Sequence, residues 1–138
     1  MSVCLAAGAL LATLAGNDFT LAWTHSIEKI RWEEDWRAEG GALRIFEARI
    51  RGSGAGMEPP DGAVLQAGVW HYRPQQAPQT QLLLAHTPYA APYELCSGGS
   101  CRPLAAWLPG LPPSATVALE VCPRSKVLPE PQALGEKQ

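Results

Sequence analysis

The sequence lacks an excess of charge of either sign. Its 11 Lys and Arg residues and 13 Asp and Glu residues leave a formal net charge of -2 at neutral pH. Such a chain presents neither a basic surface for nucleic acid or anionic lipid nor an acidic tail for a basic partner. We therefore expect no nucleic-acid partner, and charge alone does not indicate which partner is bound.

The chain also lacks a long apolar run and a basic N-terminal region. Residues 1–16 are almost wholly apolar, but they are too few to span a bilayer, and no Lys or Arg precedes Lys29, as a secretory signal would require. We predict strands at residues 2–6 and 9–15, separated by Gly8; the alternative is a cleaved or membrane-inserted leader. The missing signal favours a cytoplasmic location, with a periplasmic or membrane-associated location as the alternative.

Cysteine is scarce, and no close pair of Cys or His residues completes a zinc tetrad. The spacing predicts no metal site and no cofactor. Cys96 and Cys101 lie five positions apart across a predicted turn, so a disulfide is open to them in an oxidising compartment. Without a signal, we interpret them as free thiols. Cys4 and Cys122 lie in apolar strands and are interpreted as small core residues.

Proline and glycine, at 13 residues each, punctuate the chain into short segments. The pattern predicts an all-β protein, an antiparallel β-sandwich or a partly open barrel. A single domain is expected at residues 1–122, with a flexible tail at 123–138. Beyond the N-terminal pair, strands are predicted at residues 19–26, 30–37, 43–51, 64–65, 69–72, 81–86, 93–96, 101–104 and 115–122, the last closing the sheet.

The densest segment spans residues 23–36, which contain three of the five tryptophans and four of the thirteen acids. Alternation before and after Glu28 predicts a hairpin with its turn near that residue. Its second strand places Ile30, Trp32, Glu34 and Trp36 on one face, and the charged residues 31, 33, 35 and 37 on the other. Trp32 and Trp36 are four residues apart, a spacing that also permits a helix.

His25, Glu28 and Glu34 are candidates for a carboxylate–histidine site that holds a metal or transfers a proton. We favour instead a buried His25 that is hydrogen-bonded within the core. Glu34 is expected either to pair with an arginine such as Arg49 or to mark an exposed face. Ser26 adjoins His25, but neighbours in a strand point to opposite faces, so Ser–His catalysis is not supported.

Residues 52–56 form a glycine-rich segment. Phosphate-binding loops of this kind precede a helix, whereas Pro59 and Pro60 follow here, which disfavours a dinucleotide site. A requirement for positive φ is the favoured explanation. The alternative is a backbone cradle for a small anion, with Arg51 or Arg49 as counter-charge.

Residues 19–29, 32–36 and 51–57 resemble, in order, the signature segments of a small bacterial family known as domain of unknown function 1850. These segments contain an aromatic–Thr–His–Ser–Val–Glu motif, in which Ile27 here replaces Val, a Glu–aromatic pair and a Gly–Ala–Gly loop. The resemblance implies no established activity. Family genes often neighbour TAXI-type tripartite ATP-independent periplasmic (TRAP) transporters, which implies an accessory role in solute uptake.

The resemblance and the residue patterns together suggest one set of candidate binding residues. The set is Trp23, His25, Ser26, Glu28, Glu34, Trp36, Arg51, Gly54 and Gly56. We expect an accessory or binding module, more readily than an enzyme, whose partner is a TRAP-type transporter component or a small anionic solute. The alternative is a small ligand- or metal-binding protein, or an enzyme, that uses His25, Glu28 and Glu34. An exposed edge of the first hairpin could also pair with a second copy of the chain.

Overall fold

A computed structural model of the protein describes residues 2–25, 29–51 and 60–123. These residues form eleven strands and one short helix. The elements are β1 (Val3–Ala7), β2 (Leu10–Leu14), β3 (Asp18–Thr24), β4 (Arg31–Glu39), β5 (Ala42–Arg51), β6 (Val64–Gln66), β7 (Val69–Tyr72), β8 (Leu82–His86), β9 (Glu94–Ser97), β10 (Ser100–Pro103), α1 (Leu104–Trp107) and β11 (Ala115–Val121). The expected turn around residues 26–28, the glycine-rich residues 52–56 and the tail from residue 124 lie outside the described residues.

The strands form two antiparallel sheets, so the predicted all-β fold class is confirmed. The small sheet has the order β2-β1-β11-β8, and the large sheet has the order β10-β9-β3-β4-β5-β7-β6. The apolar N-terminal segment forms the hairpin β1–β2, as predicted, and β1 lies between β2 and β11. No helix within the three described ranges is long and apolar enough to cross a membrane.

Two expectations about strand placement are corrected, and one helix was not predicted. The hairpin β3–β4 lies in the middle of the large sheet, between β9 and β5, so its strands are not a free edge. The last strand, β11, does not close that sheet but lies inside the small one. The helix α1 was not predicted, because four residues without a capping side chain leave no periodic pattern in the sequence.

The core lies between the two sheets. The small sheet contributes Leu5, Val117 and Leu119, each fully buried, and the large sheet contributes Phe19 and Leu43 among others. Burial alternates along strands such as β9 and β11, as the period of two demands of a sheet with one apolar face. The inner face of the large sheet is therefore mainly apolar, with Glu34 as a charged exception, and the opposite face carries the paired charges.

The prediction for the cysteines is wrong. Cys96 and Cys101 are bonded across the β9–β10 hairpin, whose turn consists of Gly98 and Gly99 alone. Cys4 and Cys122 form a second disulfide, because β1 and β11 are neighbours and the Cys122 backbone N–H donates to the Ser2 carbonyl oxygen at 2.8 Å. A contact across 118 positions gives no signal in a single sequence.

Candidate functional site

One row of cross-strand neighbours on the inner face of the large sheet is aromatic. Trp23 lies opposite Trp32, Trp32 opposite Ile50, and Ile50 opposite Trp70. The rings of Trp23 and Trp32 stack at 6.2 Å between centroids, and Tyr93 meets Trp23 edge-on at 5.8 Å. We call Tyr93, Trp23, Trp32 and Trp70 the aromatic row.

The aromatic row is only half-buried, although it crosses the inner face. Ile50 at its middle is 1% exposed, whereas all four aromatic residues retain contact with solvent. Beyond Trp70 the row reaches Leu65 on the edge strand β6, which is 54% exposed. Stacked aromatic rings that keep some exposed surface are typical of ligand contacts, because they offer a large and rigid contact area.

The indole nitrogen of Trp32 is a further feature of the row. Trp32 Nε1 is buried, and no acceptor among the described residues lies within hydrogen-bonding distance. Buried donors are satisfied in the great majority of structures, so an unsatisfied donor is a reason to examine the surrounding site.

Glu34 lies directly beside the aromatic row, between Leu21 on β3 and Ala48 on β5. Its carboxylate Oε1 accepts a hydrogen bond from Trp36 Nε1 at 3.0 Å. Burial raises the pKa of Glu34, and the Trp36 hydrogen bond opposes that rise without cancelling it. Trp36 itself is a core residue, 3% exposed and stacked on Phe19.

Two tyrosines lie near the Glu34 carboxylate. Tyr72 is opposite Ala48, on the β7 side, and Tyr93 precedes β9 on the other side. Burial raises the pKa of both phenols, and the negative charge of Glu34 raises each of them further. The carboxylate therefore has aromatic neighbours on both sides.

Neither alternative for Glu34, a pair with Arg49 or a place on an exposed face, is found, because Glu34 is half-buried on the inner face and Arg49 pairs elsewhere. Arg49 lies on the outer face of the large sheet, where its guanidinium donates to both carboxylate oxygens of Asp35 at 2.7 and 2.9 Å. The reason is strand geometry, since adjacent residues of β4 point to opposite faces. Glu34 on the inner face has no cationic side chain at ion-pair distance among residues 2–25, 29–51 and 60–123.

The outer face of the large sheet carries a connected set of charged residues together with one histidine. We call this set the ion network; its members are Arg31, Glu33, Asp35, Glu47, Arg49, Arg51, His71 and Glu94. It joins strands β4, β5, β7 and β9.

Glu33 is the most buried member of the ion network, at 8% exposure. It accepts hydrogen bonds from Arg31 and Arg49, each at 2.8 Å, and from Arg51 at 3.1 Å. Burial alone would raise the pKa of Glu33, but the hydrogen bonds from Arg51, Arg31 and Arg49 lower it to about 2. The pKa of Asp35 is also lowered, because the hydrogen bonds from Arg49 and Thr20 outweigh its burial.

His25 is exposed rather than buried, which corrects the favoured prediction for it. It follows the end of β3, where its backbone N–H donates to the carbonyl oxygen of Ile30 at 2.9 Å. It borders a surface cavity of about 360 Å³ together with Lys29 and residues 88–91. The strand ends before it because the chain must turn back into β4.

The predicted site residues separate into distinct locations. Trp23 and Glu34 lie together on the inner face, whereas His25 is four residues beyond Leu21, the partner of Glu34. At roughly 3.3 Å per residue, this separation is about 13 Å along the strand. Arg51 lies on the outer face, bonded to Glu33. Within the described parts of the chain, no three His, Cys, Asp or Glu residues are placed to hold a metal ion.

Ser26, Glu28, Gly54 and Gly56 lie outside the described residues. The sequence did not single out Tyr93, Tyr72 and Trp70, because only pairing of distant strands brings them beside Trp23 and Glu34. The predicted strands at residues 69–72 and 93–96 contain these three residues. The available signal was that both strands carry aromatic residues to which the sequence analysis gave no role.

The comparisons with known proteins give one result. No curated protein and no solved structure matches the chain. A family model described as domain of unknown function (DUF1850) matches residues 19–104, which run from the second residue of β3 through β10 and include the whole aromatic row and the ion network. Because this match spans more than half of the sequence, the chain belongs to the DUF1850 family.

Proposed function

We propose that the protein is a binding module that assists a TAXI-type tripartite transporter in an oxidising compartment such as the periplasm. Its ligand contacts the aromatic row and Glu34. The observation that carries this proposal is the row itself, in which three tryptophans from three strands and the tyrosine that precedes β9 share one face and stay half-buried.

The aromatic row and Glu34 have the composition of a ligand site rather than that of a core. Binding sites combine a mostly apolar, aromatic lining with a few placed polar groups. The stacked pair Trp23 and Trp32 would supply the lining, and the Glu34 carboxylate the polar group. A core alone gains nothing from a carboxylate on its apolar face, because burial of that group costs free energy.

The compartment is inferred from the disulfides. All four cysteines are bonded in pairs. Structural disulfides persist in oxidising compartments and are rare in the cytosol. This chemistry supports the periplasmic alternative over the cytoplasmic location expected from the sequence.

The partner is inferred from the gene context that the family implies. A component of the transporter is the proposed protein partner. A small anionic solute is the second candidate ligand, and it would bind to Arg51. The Arg51 side chain is 49% exposed, but it is already paired with Glu33. The other candidate function is a metal or catalytic site of His25, Glu28 and Glu34. It has no support, because His25 lies four residues beyond Leu21, the partner of Glu34 on β3.

A thermal-shift screen tests the ligand site. We expect at least one class among sugars, organic acids and amines to raise the melting temperature of the oxidised protein, since binding to the folded state stabilises it. Trp23→Ala, within the aromatic row, should abolish the shift, whereas Trp107→Phe, away from the row, should preserve it. A screen without any shift, or a shift that survives Trp23→Ala, would contradict the proposed site.

Cross-linking tests the transporter partner. In cells that produce this protein together with a TAXI-type transporter, we expect cross-links to a transporter subunit. Repeated recovery of no membrane component would contradict this part of the proposal without affecting the ligand site.

A further inference from the structure

We infer that the ligand of this site carries an organic cation, a quaternary ammonium or protonated amine, held between the aromatic row and the Glu34 carboxylate. The inference rests on the proposed function and names the chemical class of its ligand. It follows from the environment of Glu34 and from the chemistry of the rings around it.

The first step is the contrast between two adjacent carboxylates. Glu33 on the outer face accepts hydrogen bonds from three arginines. Among residues 2–25, 29–51 and 60–123, Glu34 on the inner face accepts one side-chain hydrogen bond, from the neutral indole of Trp36. Carboxylates that are withdrawn from water are normally paired with a cation, and no described residue provides one for the partly buried Glu34. A cationic ligand would supply the missing charge.

The second step is the nature of the surrounding surface. Cations bind favourably over aromatic faces, most of all over tryptophan, and groups of aromatic rings are how proteins recognise quaternary ammonium. Trp23 and Trp32 stand nearly parallel, with 15° between their planes, and Tyr93 borders them edge-on. Glu34 lies two residues from Trp32 on the same face of β4, and Tyr72 pairs with Ala48, the partner of Glu34 on β5. The rings and the carboxylate therefore belong to one site.

The third step excludes the other ligand classes on charge. A neutral sugar could stack on the tryptophans, but it would leave the carboxylate without a counter-ion. An organic acid would bring a second negative charge beside Glu34, which is unfavourable at short range in a partly buried site. A cation is the class that both the rings and the carboxylate favour.

Calorimetry with a charged probe and its neutral isostere tests the inference. The probes are choline and 3,3-dimethyl-1-butanol, which differ in replacing the quaternary nitrogen by carbon. For the wild type we expect choline to bind at least about tenfold more tightly than the alcohol. Glu34→Gln should weaken choline at least about tenfold and leave the alcohol nearly unchanged.

The matched control is Glu39→Gln on the same strand. Glu39 lies at the exposed end of β4 and pairs with Arg44, so its replacement should not alter binding of either probe. Glu34→Gln is expected to fold, because an amide keeps the acceptor for Trp36 Nε1 and removes a charge that burial disfavours. Circular dichroism of each variant checks this point.

The contrary outcomes are distinct. Equal affinity for both probes, no choline binding, or choline binding that survives Glu34→Gln would each overturn the cation assignment. If a neutral or acidic compound from the thermal-shift screen binds instead and is lost in Trp23→Ala, the proposed site stands and this inference alone fails. If no compound of any class binds, both fail.

Discussion

Two neighbouring residues, Glu33 and Glu34, have opposite environments. Glu33 has its pKa lowered to about 2 by three arginines that outweigh the effect of its burial, whereas Glu34 has its pKa raised by burial. The difference follows from one property of a β-strand, which sends consecutive side chains to opposite faces. The Glu33 carboxylate therefore pairs with arginines on the outer face, and the Glu34 carboxylate is the one that we propose contacts a ligand.

Glu33→Gln is predicted to lower the free energy of unfolding by about 1–3 kcal/mol at neutral pH, since a buried anion is removed from three guanidinium groups. The pH dependence should change as well. The pKa of Glu33 in the folded state is below its ordinary value of 4.5, so its contribution is complete above that value and is lost as the pH falls towards 2. Urea denaturation between pH 7 and pH 2 measures both effects.

The control for this prediction is again Glu39→Gln. Its ion pair with Arg44 is nearly half exposed on both sides, so the expected loss is below about 1 kcal/mol with little dependence on acid pH. Equal losses in the two variants would show that the ion network contributes no more than an ordinary surface pair.

At the scale of the element, β5 contains an irregularity that decides which of its residues enter the core. Asp35 pairs with Glu47 but Trp36 pairs with Ile45, so Phe46 is an extra residue in the ladder, a β-bulge. Ile45 therefore points into the core, and Phe46 points outward, below the guanidinium of Arg37 at 4.7 Å. Without the bulge, strict alternation from Ile45 would bury residues 47 and 49, both charged.

Ile45→Ala is predicted to destabilise the protein by about 2–5 kcal/mol, because it leaves a cavity between the sheets. Phe46→Ala, the adjacent position, should cost only about 1 kcal/mol, the loss of a partly exposed cation–π contact. Thermal or urea unfolding of the two variants distinguishes them. A larger loss of stability for Phe46→Ala than for Ile45→Ala would contradict this prediction. It would mean that Phe46 faces the core and Ile45 faces outward.

At the scale of the molecule, the small sheet pairs the first strand of the chain with the last. β1 and β11 are neighbours in the small sheet, and the disulfide between Cys4 and Cys122 joins their ends. The second disulfide, between Cys96 and Cys101, spans only a hairpin. The two bonds therefore constrain the unfolded chain very differently.

Replacing Cys4 and Cys122 by alanine is predicted to lower stability by about 5 kcal/mol, and replacing Cys96 and Cys101 by about 2 kcal/mol, from the chain entropy of the loops that each bond closes. Urea denaturation of both double variants under oxidising conditions measures the difference. An equal loss in the two, or a greater loss for the hairpin pair, would contradict this account.

Local sequence determined most of the elements of this protein. Alternation and turn residues are properties of short segments, and they were sufficient to predict the strand pairs around Gly8, around Glu28 and at residues 64–72, together with the all-β class. The same alternation correctly separated Trp32, Glu34 and Trp36 from the charged face of β4. These features depend on neighbours within a few residues, which one sequence contains.

Tertiary structure alone decided which strands became neighbours, and this determined the site. Strand order brought Tyr93 to Trp23, Trp70 to Ile50 and Cys4 to Cys122, over separations that leave no trace in local patterning. It also exposed His25, which lies one residue beyond the end of β3. The pairing of distant strands depends on how much apolar surface both sheets bury together. A short stretch of sequence contains only the preferences of its own residues.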